Sequence, residues 1–292
     1  MKRTSTMPKL DKESVLRLSN INADGARLIV ASYYAFQDNR KRSDMQVRHL
    51  GDRDGDDAAL FMKYIADSHA EVEGTIEKLL DKYSMTSPVG RWARAQDGIG
   101  PVIAAGCLAH LNITLAPSAG HFWSFSGLNP EQVWEKGQKR PYCADMKQIC
   151  FHMGECFKRL SGNPDALYPG LYKTQKRIVE ERNRTGHYRE RSQEYFTKSA
   201  EHKKVLEKGM LPQSNLDRQA CNYAVKIFLS HLHAVMYWDH YGRAPSKPFA
   251  IQILGHTHEI KIPRLDMFPG LEEAYYGPTK IAEKYRAAKK KA

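Results

Sequence analysis

The apolar residues of this chain return every three or four positions, and only residues 245–263 read as extended. Residues 58–83 show the pattern best, with Leu60, Phe61, Tyr64, Ile65, Val72, Ile76, Leu79 and Leu80 at helical spacing. That period predicts a mainly α protein, a helical bundle with a short extended segment near the C-terminus. Helices are expected over 23–49, 58–83, 89–96, 102–111, 119–125, 144–160, 171–184, 190–206 and 216–241. The run GDRDGDD from Gly51 to Asp57 is a turn and a helix start, with acids where the helix dipole favours them. Two long helices across that short polar turn form an antiparallel pair, which Ser87-Pro88 ends. Three segments follow. Residues 1–85 form a long helical pair and candidate dimerisation region, 86–245 a helical domain, and 246–292 an extended segment with a basic tail. Residues 1–20 are polar and read as loosely held.

Charge narrows the partners. Forty-five Lys and Arg against 33 Asp and Glu give +12 over 292 residues. Such a surface attracts polyanions. Nucleic acid is the commonest, with an acidic membrane surface as the alternative. No apolar run approaches a membrane span, and Met1-Lys-Arg-Thr leads into polar sequence, so no membrane partner is expected. The five cysteines, Cys107, Cys143, Cys150, Cys156 and Cys221, contain no CxxC pair. Reduced thiols in a cytoplasmic protein fit better than a disulfide framework or a zinc knuckle.

The most specific signal is the stretch WARAQDGIGPVIAA from Trp92 to Ala105. Gly98 and Gly100 permit positive φ and close backbone approach. Ile99 between them can plug between two flanking helices. Pro101 suits the first helical position, where its missing N–H costs nothing, and Ala104 and Ala105 let the helices pack tightly. A helix-hairpin-helix of this kind presents amides at a helix N-terminus, where a phosphate oxygen is favourable. Such contacts position a duplex without reading its sequence. Gly98, Ile99, Gly100 and Pro101 are therefore candidate DNA-binding residues, against the plainer reading of an ordinary glycine-rich turn. Lys136, Lys139 and Arg140 are further candidates. They share a loop with Trp134 and Tyr142, a mixture that suits single strands or RNA. The plainer reading there is a solvated loop.

The run from Gly98 to Ala105, the helix after it, FWSFSGLNP from Phe122 to Pro130, and the basic loop and helix that follow resemble the C-terminal transposase domain of the insertion sequence 110 family, recombinases guided by a bridge RNA. The order of elements is similar over residues 25–240, but only 92–130 is specific. The resemblance implies DNA as partner in transposition or recombination, with a guide RNA or a catalytic partner. It also implies homo-oligomers formed through the N-terminal helices, which look like the family's coiled-coil region. Two features depart from the pattern. The family's ribonuclease-H-like domain with its acidic metal ligands has no counterpart, since too little sequence precedes the helical region. The family also places a nucleophilic serine in the loop after Gly-Leu-x-Pro, and residues 131–143 contain none. A hydroxyl is needed to form a phosphoserine bond. Ser126 is the nearest substitute, and helix packing is the commoner role for it. Whether the chain is itself an enzyme stays open.

The histidines define the alternative. His256 and His258 would point to the same side of a strand, with Glu259 beside them. His231 and His233 on a helix diverge by about 200°. A site joining His233, His256 and His258 is the candidate metal centre of a metal-dependent nuclease. A catalytic metal needs about three protein ligands and an open water position, and hydrogen-bonded or exposed histidines are the commoner outcome. The third class is a non-catalytic accessory DNA-binding protein. No cofactor is otherwise expected; a divalent metal enters only with a catalytic partner or with this histidine site.

Overall fold

Asp11 accepts a hydrogen bond from the Ser14 amide at 2.6 Å and so starts α1 (Lys12–Ser19), a short helix inside the stretch expected to be loose. The structure, a computed structural model, describes residues 10–50, 57–246 and 259–277. The elements that follow are α2 (Ala23–Leu50), α3 (Asp57–Thr86), α4 (Pro88–Arg94), α5 (Pro101–His110), α6 (Ala119–Phe125), α7 (Ala144–Arg159), α8 (Leu167–Arg184), α9 (Arg189–Glu194), α10 (Ala200–Leu206), α11 (Gln213–Tyr241) and α12 (Leu271–Tyr276). Among the described residues there is no strand, and the protein is mainly α as its periodicity predicts. Most of the expected extended segment, 247–258, lies outside the described residues, as do the turn at 51–56 and the tail at 278–292.

The chain forms two compact units that cut across the three expected segments: residues 1–112 with 143–170, and residues 113–142 with 171–292. The boundary between residues 170 and 171 falls inside α8.

In the first unit α2 runs along α3, and both touch α5, which also packs on α7. A polar clasp ties the long pair. Arg40 Nε donates to Glu73 Oε2 at 2.6 Å, Gln37 Nε2 donates to Glu73 Oε1 at 3.1 Å, and Asp44 pairs with Arg40 at 3.2 Å. Burial pushes the Glu73 carboxyl up, but the bonds from Arg40 and Gln37 outweigh it and hold it below the usual carboxylate range. α4 starts one residue after α3, with Ser87 as its cap, accepting from the Gly90 amide at 2.9 Å, and Pro88 at its first position. Trp92, Ile99, Ala104, Ala105, Met146, Ile149, Met153 and Phe157 fill the core, with Phe157 stacked on Tyr168 at 5.4 Å.

In the second unit α6 packs on α11. Asp217 of α11 takes Tyr172 Oη at 2.9 Å and Lys176 Nζ at 2.6 Å, so one cation of the charged 171–184 helix is structural. Asn183 satisfies both backbone groups of Leu211, at 3.0 and 2.8 Å, above a core of Val179, Tyr188, Leu211 and Leu216. The helix expected over 190–206 is in fact two. Thr197 Oγ1 accepts from the Ser199 amide at 3.2 Å, and Ser199 Oγ accepts from the His202 amide at 3.3 Å. These side-chain bonds compete with the helical ladder and break it.

Candidate nucleic-acid interface

The glycine turn, residues 95–100, joins α4 to α5. Ala95 closes α4, its amide shared between the carbonyls of Arg91 and Trp92 at 3.1 Å each. The Ile99 amide then donates to the Gln96 carbonyl at 3.1 Å, and the Ile99 side chain is 2% exposed, the plug its position suggested. Arg94 holds the turn from outside. Its Nη1 donates to the Ile99 carbonyl at 2.8 Å, while Nε and Nη2 reach Asp81 Oδ1 at 3.2 and 2.9 Å.

The two glycines have different jobs. Gly98 has φ +89°, and a Cβ there would lie 2.9 Å from Phe157 Cδ1. Gly100 is extended at φ −78° and ψ 175°, and a Cβ there would meet nothing within 4 Å. Positive φ is thus needed at Gly98 alone. Gly100 caps α5, its carbonyl accepting from the Ala104 amide at 3.0 Å. The amides of Val102 and Ile103 precede that first bond and have no carbonyl one turn earlier to donate to; Pro101 has no amide hydrogen.

Two grooves flank Gly100. One of about 610 Å³ is lined by Arg94, Asp97, Gly98, Ile99, Gly100, Cys156, Arg159 and Leu160. The other, about 550 Å³, runs past Gly100, Pro101, Val102 and Ile103 to Tyr33, Tyr34, Gln37, Arg40, Lys41, His152 and Arg159. His152 stacks on Tyr34 at 4.7 Å. Glu77 and Glu155 also line this second groove, so its charge is mixed. Arg40 is committed to Glu73, and Lys41 donates to Gln37 Oε1 at 2.7 Å. Arg159 is exposed, touches the Cys156 thiol at 3.1 Å and faces both grooves. Sequence reasoning did not single out Arg159, because α7 follows the turn only after the intervening residues of the second unit.

The remaining candidates lie in the second unit. Lys136, Lys139 and Arg140 are all exposed on an irregular loop. Trp134 is anchored there, its Nε1 donating to the Gln138 carbonyl at 2.8 Å and Arg140 lying 5.6 Å from its ring centroid. Ser126 is 0% exposed and its hydroxyl makes no hydrogen bond. It closes α6 as a packing residue. His233 is 1% exposed, with Nε2 2.8 Å from the Ala116 carbonyl and its ring edge-on to Phe122. A carbonyl only accepts, so Nε2 carries the proton and is not free to bind a metal. Burial, chiefly, keeps this imidazole below its ordinary pKa. His231 faces the Ile260 carbonyl at 3.0 Å, and burial pulls it down to about 4. His256 and His258 lie outside the described residues. Among the described residues no three His, Cys, Asp or Glu side chains are arranged to hold a metal.

Comparisons with models of protein families, with curated proteins and with solved structures find no match to this chain. No helix among the described residues is long and apolar enough to cross a membrane.

Proposed function

We propose that this chain binds the backbone of duplex DNA through the α4–α5 hairpin and works in DNA transposition or recombination. The observation that carries the reading is the turn itself. A buried Ile99 and a positive-φ Gly98 hold the start of α5 open between two grooves that share Arg159. A helix N-terminus beside an exposed guanidinium is a favourable setting for a phosphate. The resemblance of residues 92–130 to insertion sequence 110 transposases supports the biological setting. Strand chemistry then comes from a catalytic partner or a guide RNA complex, since Ser126 is buried. Leu60, Phe61 and Tyr64, 71, 62 and 60% exposed on α3, support oligomerisation through the long helices. Five free cysteines support a cytoplasmic location.

The test is fluorescence anisotropy of duplexes of unrelated sequence across a salt series. Each neutralised phosphate contributes roughly −0.9 to the log–log salt slope. Affinity should fall steeply with salt and differ little between sequences. An affinity that is flat in salt refutes the reading.

A further inference from the structure

The second unit carries another pairing of a cation with an aromatic ring. Trp123 of α6 donates its indole Nε1–H to the Lys226 carbonyl of α11 at 3.1 Å. The Lys226 ammonium lies over the same indole, 5.5 Å from the ring centroid. The indole is therefore pinned at its edge by backbone and met on its face by a charge. Lys226 is only partly exposed, and among the described residues no carboxylate pairs with it. Burial lowers its pKa, with no acidic neighbour to offset the effect. Without a counter-charge, the indole face offsets only part of the hydration that a half-buried ammonium loses. An incoming anion would supply what is lacking.

Tyr223 stands three residues before Lys226, on the same side of α11, and is 36% exposed. A cation beside an exposed ring is the set that unpaired nucleotides use, with phosphate on the charge and base on the ring. The basic loop of the same unit repeats the pairing at Trp134 and Arg140. A duplex buries its bases in the stack and offers none to Tyr223.

We propose that Lys226, Trp123 and Tyr223 form a subsite for unpaired nucleic acid, in which the Lys226 ammonium takes a phosphate and an unstacked base lies on Tyr223. This rests on the reading of the chain as a nucleic-acid binder and adds strand preference to it. The hairpin takes duplex backbone; this surface takes a single strand.

The full chain is titrated with labelled oligothymidylate and, separately, with a duplex. Lys226→Gln and Tyr223→Ala should each lower single-strand affinity about tenfold and leave duplex affinity within about twofold. Lys226→Arg should bind the single strand like the wild type. Circular dichroism confirms folding; should Lys226→Gln fail it, Tyr223→Ala at the more exposed ring carries the test. Unchanged single-strand affinity in the folded variants overturns the subsite, as do equal losses on both substrates. A wild-type chain that binds duplex but ignores oligothymidylate overturns the subsite alone. One that binds oligothymidylate with the expected losses but not duplex overturns the hairpin reading alone, and one that binds neither overturns both.

Discussion

Gly98→Ala should be among the most damaging single-methyl additions in the first unit. At φ +89° an L side chain crowds its own backbone, at a cost of about 1–2 kcal/mol. The new Cβ also meets Phe157 Cδ1 at 2.9 Å and Cε1 at 3.2 Å. Phe157 is fully buried and stacked on Tyr168, so it cannot swing aside without moving the core. Overpacking of that kind adds about 1–3 kcal/mol. The sum, about 2–5 kcal/mol, should lower the melting midpoint by roughly 3–8 °C in a chain of this size. Gly100→Ala is the control. Its backbone is extended and its Cβ would point into open space. Lost chain entropy in the unfolded state favours alanine, glycine is the better cap, and the net effect stays within about 0.5 kcal/mol. Paired thermal melts followed by circular dichroism read the contrast. Equal drops, or a larger drop for Gly100→Ala, would refute the assignment of roles. Gly100→Val should likewise fold, yet weaken duplex binding, because its side chain stands in the groove where a phosphate would approach.

Two further outcomes follow from buried groups. His231 is pulled from 6.5 to about 4 by burial, so the unfolded chain takes up its proton more readily than the folded one. The stability this contributes is complete above pH 6.5 and drains as pH falls from 6.5 toward 4, by about 3 kcal/mol in all; denaturant melts across that window should show the loss, and His231→Gln should flatten it. Ser126→Ala should leave the fold intact and stabilise it by about 1 kcal/mol, since it removes a buried hydroxyl that makes no hydrogen bond. A covalent protein–DNA adduct abolished by Ser126→Ala would contradict the packing role.

The long helices were legible because α2, α3 and the first half of α11 alternate buried and exposed residues at helical spacing, which leaves a period in the sequence; α11 is buried all round only over residues 231–235. The break between α9 and α10 was not, because it depends on the local bonds of Thr197 and Ser199 rather than on hydrophobic spacing. At the turn, Ile99 was readable as the plug. The division of labour between Gly98 and Gly100 was not, since it is Phe157, from α7, that crowds one and leaves the other open. His233 illustrates the same limit. Its type and spacing suit a ligand, but its partner is a carbonyl 117 residues away. Lys226 was legible only as a member of its helix; packing of α6 on α11 is what sets it against Trp123.

The most direct test of the hairpin reading uses Cys156, which lines both grooves beside Arg159 and is partly exposed, whereas Cys107, Cys150 and Cys221 are buried. Alkylation of Cys156 is followed by peptide mass spectrometry, with and without saturating duplex, in the wild type and in Gly100→Val. Bound DNA should slow labelling of Cys156 several-fold in the wild type, and the protection should disappear in the variant together with binding. A Cys156 that labels at the same rate with the duplex bound would contradict a hairpin that grips DNA.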